Sequence, residues 1–146
     1  MSLMILFTFQ RFSIDMNLLP YVGIPYEVKG KSFDGADCWG LCQLFGLKEL
    51  GIKFPNYFYD VGTNIEEALE HIKNEKHNLG KRWQQVTIPN EGDICLFKIQ
   101  GLEVHCGIHL DKYSFLHSLK GRSSCIENLN HVNWTHRYQG SYRWLG

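Results

Sequence analysis

The chain has 146 residues, enough for one domain with a real core and too few for two comfortable ones. Apolar residues make up 44% and aromatic residues 14%, which excludes a disordered chain. The 15 Lys and Arg balance 15 Asp and Glu, so a general electrostatic affinity for nucleic acid or anionic membranes is excluded as well.

The first nine residues, Met1 to Phe9, are apolar but have no basic residue before them and no small-residue cleavage site after them. They do not form a secretory signal, which predicts synthesis in the cytosol. No apolar run approaches the roughly 20 residues of a membrane span. Within residues 1–20 an edge strand and a docking segment for a neighbouring subunit both remain open. With no repeat, low-complexity stretch or linker, 1–146 is expected to be a single domain.

Gly23, Pro25, Gly30 and Gly35 mark a long irregular loop from Tyr21 to Asp37. The spacing that follows predicts a helix from Cys38 to Leu50, with Asp37 as N-cap and Gly51 as stop. Thr63 and Glu66 have capping-box spacing before Ile65, Ala68, Leu69 and Ile72, so a second helix is predicted, ending at Gly80. After Trp83 come β-like runs at 84–88, 93–99, 103–110 and 113–119, with weaker ones at 124–127 and 138–144. Helices first and antiparallel strands afterwards predict an α+β fold.

Five cysteines, Cys38, Cys42, Cys95, Cys106 and Cys125, make an odd set that argues for reduced thiols. Neither CxxC nor paired His/Cys spacing appears, so no metal site is expected. Cys38 stands apart, because the first turn of a helix presents unpaired N–H groups and positive potential that favour a thiolate and can stabilise an oxyanion. Cys42, one turn further on, is expected to face the core, and Cys95 and Cys125 to be buried and inert.

A thiol nucleophile needs a base, and the base an orienting partner. Alternation along 104–110 puts Val104, Cys106, Ile108 and Leu110 on one face and His105, Gly107 and His109 on the other. His105 and His109 are about 13 Å apart on a strand, too far to share a zinc ion. If the next run pairs as a hairpin, His117 can stand beside His105 and accept from its ring nitrogen. Cys38, His105 and His117 then make a candidate triad.

These residues resemble a family. Asp37-Cys38-Trp39-Gly40-Leu41 is similar to the nucleophile motif of the NlpC/P60 cell-wall peptidases, which have a papain-like fold. Gly23-Ile24-Pro25-Tyr26 resembles the family's Gly-x-Pro-Tyr lead-in. Gly92-Asp93-Ile94, His105-Cys106-Gly107-Ile108 and Phe115-Leu116-His117-Ser118 resemble its later segments. The resemblance implies Cys38 as nucleophile, His105 as base and His117 as orienting residue. It implies Tyr26 over the nucleophile, Asp37 binding the substrate's free amine, and Trp39 beside them at the substrate. His109 matches no catalytic position and is expected at the surface or in the sheet.

The implied activity is hydrolysis of amide bonds in peptidoglycan stem peptides, between D-γ-glutamate and the following diamino acid, with no cofactor. Trp39 and the Tyr-x-Gly-Ile-Pro-Tyr lead-in resemble the branch found in phage tails, which implies other tail-tip proteins as partners and local opening of the cell wall during DNA entry. Lys29 departs from the family's glycine, and Cys106 from its valine. Two alternatives stay open: a structural tail-tip subunit with little catalysis, and another papain-like amidase or acyltransferase. Phe54, Tyr57, Phe58 and Tyr59 are expected to form a packed loop, Lys73, Lys76, Lys81 and Arg82 a solvated face, and Trp134, Tyr142 and Trp144 to pack on the sheet.

Overall fold

Asp37 begins the helix on which the site depends. The computed structural model describes residues 18–56, 82–99 and 103–146. In it, α1 (Cys38–Phe45) is capped by the Asp37 carboxylate, which accepts from the Gly40 N–H at 2.7 Å. A π-helical turn, Gly46–Leu50, extends it, and Gly51 ends it in the left-handed region at φ 67°. The helix therefore stops where the sequence predicts, but its last turn is widened.

The loop before α1 is more regular than its glycines suggest. It holds a small antiparallel hairpin, β1 (Lys31–Ser32) and β2 (Gly35–Ala36). These strands are too short to leave a period-two pattern, so the sequence shows only turn signals.

The remaining strands are β3 (Trp83–Val86), β4 (Ile94–Ile99), β5 (Glu103–His109), β6 (Ser114–His117), β7 (Cys125–Asn128) and β8 (Tyr138–Trp144). They form one antiparallel sheet in the order β3-β8-β4-β5-β6-β7. The run at 138–144, weak by sequence, is an interior strand lying between β3 and β4.

Directly paired residues point to the same face. Ile94, Leu96, Cys106, Ile108 and Leu116 share a core with Ala36, Trp39, Leu41 and Phe45, so this face carries α1. Cys95, Phe97 and Phe115 point the other way and are covered by Trp134 from a short helix, α2 (Val132–Thr135). Both faces are buried, which is why Ile94-Cys95-Leu96-Phe97 is apolar without alternation. Burying each large side chain contributes roughly 1.5–3 kcal/mol.

Gly92-Asp93 has a structural role. Asp93 is buried, accepts from the Asn90 N–H at 2.7 Å, and takes two 2.9 Å bonds from the Arg143 guanidinium. Phe54 is buried and stacks on Trp83, and Trp144 also packs on Trp83. The second helix expected at 63–80, residues 57–59, Lys73, Lys76, Lys81 and residues 1–17 lie outside the described residues. Among the described residues, no helix is long and apolar enough to cross a membrane.

Candidate active site

The loop ahead of α1 is pinned from several sides, and this fixes where Cys38 sits. The Ala36 N–H donates to Pro25 O at 3.0 Å, and the Glu27 N–H donates to Ala36 O at 3.3 Å. Half-buried Tyr26 is thus clamped two bonds from the nucleophile loop. The Asp37 N–H donates to Gly30 O, and the Ser118 hydroxyl to Ala36 O at 2.9 Å. A second anchor is buried Ser124, which accepts from the Ile24 N–H at 2.8 Å and donates to Tyr21 O at 2.6 Å. At Gly40 any Cβ would run into the Gly30 carbonyl, so the glycine of Asp-Cys-Trp-Gly-Leu is required by the loop folding back on α1.

Cys38 is partly accessible at the first residue of α1. Its thiol meets two consecutive residues of β5, Cys106 and His105. Strand β5 pairs with β6 only at Ile108–Leu116 and His109–Phe115. Beyond that pairing, His105 and His117 span the gap, with His105 Nε2 and His117 Nδ1 2.7 Å apart. His117 Nε2 in turn lies 2.6 Å from Glu127 Oε2, and Arg122 holds that carboxylate at 2.9 Å. Trp134 closes the far side, its ring edge-on to His117 at 4.8 Å.

This chain dictates the ring tautomers. An ionised carboxylate only accepts, so His117 carries its proton on Nε2 and presents a lone pair at Nδ1. His105 must then donate from Nε2, which leaves Nδ1 unprotonated for the Cys38 thiol.

The electrostatics set the resting charges. The neighbouring Cys106 thiol and burial push Cys38 well above the ordinary thiol value, while the His105 bond and charge pull it partly back. Burial pushes His105 down, offset in part by Cys38, and pushes His117 down against the pull of Glu127. The resting pair is therefore a thiol beside a neutral imidazole, although the helix terminus by itself favours a thiolate. Glu127 is held below the ordinary carboxylate value. Its partial burial acts upward, but Trp134, His117 and Arg122 outweigh it. The Trp134 indole N–H takes part through proximity, since among the described residues no acceptor completes a hydrogen bond to it.

The residues picked from sequence fall out unequally. Cys38 neighbours His105, His105 pairs with His117, and Asp37 caps the helix that carries Cys38, while Tyr26 lies between two residues bonded to Ala36. Asp37 is buried, with one carboxylate oxygen accepting from Gly40 N–H and the other from Lys29 N–H at 2.7 Å. Trp39 is a correction: it is 2% exposed, donates its indole N–H to Pro55 O at 2.8 Å, and packs on Phe54 and Trp83. Its side chain is a wall of the core rather than a substrate contact.

His109 lies in the sheet but is fully buried rather than on the surface, bonded to Ser141 Oγ at 2.6 Å and facing Asp111 O at 3.0 Å. Cys125 is a second correction, being half-buried in the Glu127 cluster instead of inert in the core. Glu127 is missed by sequence reasoning altogether. The register His117↔Cys125 places it one pleat further along the same face, and only a known β6–β7 pairing would point to it.

Residues 23–143 match the NlpC/P60 family. The chain belongs to that family. A curated relative, the murein DD-endopeptidase MepS/murein LD-carboxypeptidase of Escherichia coli strain K12, is 24% identical over 123 residues, covering 84% of this chain and 57% of the relative. The chain thus spans a little over half the length of the curated relatives it matches. Among solved structures, an NLP/P60 protein similar to a lipoprotein from Staphylococcus aureus superposes with a TM-score of 0.59 at 22% identity, covering 91% of this chain and 40% of that one. The NlpC/p60 domain of the peptidoglycan hydrolase SagA superposes at 0.55 with 20% identity, covering 89% of this chain and 95% of that one. These neighbours share the α+β arrangement of a helix packed on an antiparallel sheet.

Proposed function

We propose that this NlpC/P60 domain is a cysteine peptidase that hydrolyses amide bonds in peptidoglycan stem peptides. The observation that carries this is the bonded line His105–His117–Glu127, with the Cys38 thiol under the influence of His105 at its inner end. His105 Nδ1 takes the Cys38 proton as sulfur attacks the scissile carbonyl, so charge separates only as the bond forms. The first-turn N–H groups of α1 face the developing oxyanion. The imidazolium then protonates the leaving amine, and water, activated by the same ring, releases the acyl group. His117 keeps His105 in the base-competent tautomer, and Glu127 keeps His117 in its own.

The similarity to a murein endopeptidase of Escherichia coli and to the peptidoglycan hydrolase SagA supports peptidoglycan as substrate class. Within it, we propose the D-γ-glutamyl–diamino acid bond, with Asp37 beside the free amine and the Tyr26 hydroxyl over the nucleophile. The proposal extends to a phage or prophage tail, with tail-tip proteins as partners. This rests on the lead-in and on Asp37–Leu41 resembling that branch, and mass spectrometry of purified virions tests it.

Alkylation by iodoacetamide at neutral pH tests the pair itself. His105→Ala removes the influences that pull the Cys38 thiol down, so Cys38 should react at least about tenfold more slowly than in wild type. Equal rates would show that His105 does not activate it.

A further inference from the structure

At the outer end of the histidine line, three different donors converge. Cys125 Sγ lies 3.6 Å from His117 Nε2 and 3.8 Å from Glu127 Oε2, and the latter two atoms are 2.6 Å apart. All three ligand atoms fall within 4.8 Å of one another. A tetrahedral zinc ion, with bonds near 2.0–2.3 Å, separates its S, N and O ligands by about 3.3–3.6 Å. Both sulfur distances already approach that geometry, and only the His117–Glu127 bond must open, by roughly 0.7 Å.

We propose that His117, Cys125 and Glu127 form a three-ligand site for a divalent transition metal of the zinc class, and that its occupancy switches the peptidase off. The donors come from facing positions of β6 and β7, which is why no linear His/Cys spacing announces them. A mixed thiolate, imidazole and carboxylate set suits zinc better than magnesium or calcium. Arg122 guards the mouth, donating to both Cys125 Sγ and Glu127 Oε2, but its side chain is 49% exposed and can swing into solvent. A metal-bound water in the fourth position would offer an acceptor to the buried Trp134 indole N–H, which lacks one among the described residues.

The consequence for catalysis follows from counting protons. Metal at His117 Nε2 displaces the proton held there, and the neutral ring carries it at Nδ1. Nδ1 then donates to His105 Nε2, so the remaining His105 proton sits on Nδ1, against the Cys38 thiol. Two ring protons are present before and after, and only the Cys125 proton leaves to solvent. In that tautomer His105 presents no lone pair to Cys38.

The switching half rests on the peptidase reading above; the metal site does not. Co²⁺ is the probe, added to the full chain as Cys38→Ser so that the nucleophile cannot be the ligand. A thiolate-to-cobalt charge-transfer band should appear, saturate at one ion per chain, be displaced by Zn²⁺, weaken at least tenfold in Glu127→Gln, and vanish when Cys125→Ser is added. No band, or one that survives Cys125→Ser, overturns the site. With Cys38 intact, Zn²⁺ should inhibit peptidoglycan hydrolysis, while Cys125→Ser, active without metal, should need at least tenfold more Zn²⁺. Equal inhibition of both overturns the switch. A wild type without any hydrolysis would refute the peptidase reading, and the cobalt band would still decide the site.

Discussion

Asp37 holds the nucleophile loop by two backbone N–H groups, and a pair of substitutions separates them. Asp37→Ala removes both acceptors, orphaning the buried Gly40 N–H at the helix cap and the Lys29 N–H in the loop. Loss of an N-cap costs about 1 kcal/mol, and a second unsatisfied donor about 1–2 kcal/mol more. The total of about 2–3 kcal/mol corresponds to a fall in Tm of roughly 5–10 °C for a chain of this size. Asp37→Asn keeps one oxygen for Gly40 but turns an amide N–H₂ toward the Lys29 N–H, so it should cost about half as much. Urea unfolding at fixed pH, with unchanged m-value, measures both. A cost below about 0.5 kcal/mol for Asp37→Ala, or equal costs for the two variants, would refute the assignment of one oxygen to each donor.

Burial holds His109 neutral, against the opposing pull of the Asp111 carbonyl. Its folded pKa lies below the unfolded value near 6.5, so stability is full above that pH and falls as pH drops through it toward the folded pKa, by at most about 1.4 kcal/mol per pH unit. His109→Gln should flatten that fall between pH 6.5 and 5, as read by urea unfolding; an unchanged slope contradicts it. Lys29 adopts φ 62°, the left-handed region that costs a side chain about 1 kcal/mol. Lys29→Gly, which removes the side chain from that region, should stabilise by up to about that amount; a destabilised variant in thermal unfolding would contradict it.

What the sequence revealed depended on how locally each feature is encoded. Asp37, the apolar spacing of Cys38–Leu50 and Gly51 carry a whole helix within a dozen residues, and α1 follows them. The strand runs at 93–99 and 103–110 were legible because the chain returns on itself there. The central place of β8 was not, since Gly140, with φ 126°, and the shift in register at Leu96/Phe97 interrupt its pattern. The pairing of His105 with His117 could be anticipated from one hairpin. Glu127 and Cys125 could not, because they join the site through a further strand pairing. Trp39 misled: its place in the motif suggested a substrate contact, yet the indole packs against Phe54 and Trp83, a neighbour distant in sequence.

The most direct test of the central claim is to incubate purified peptidoglycan with wild type and with Cys38→Ser and identify the released fragments by mass spectrometry. Wild type should release stem-peptide fragments cut between D-γ-glutamate and the diamino acid, and Cys38→Ser, folded, should release none. Fragments of equal yield from both proteins, or none from folded wild type, would contradict a peptidase built on Cys38.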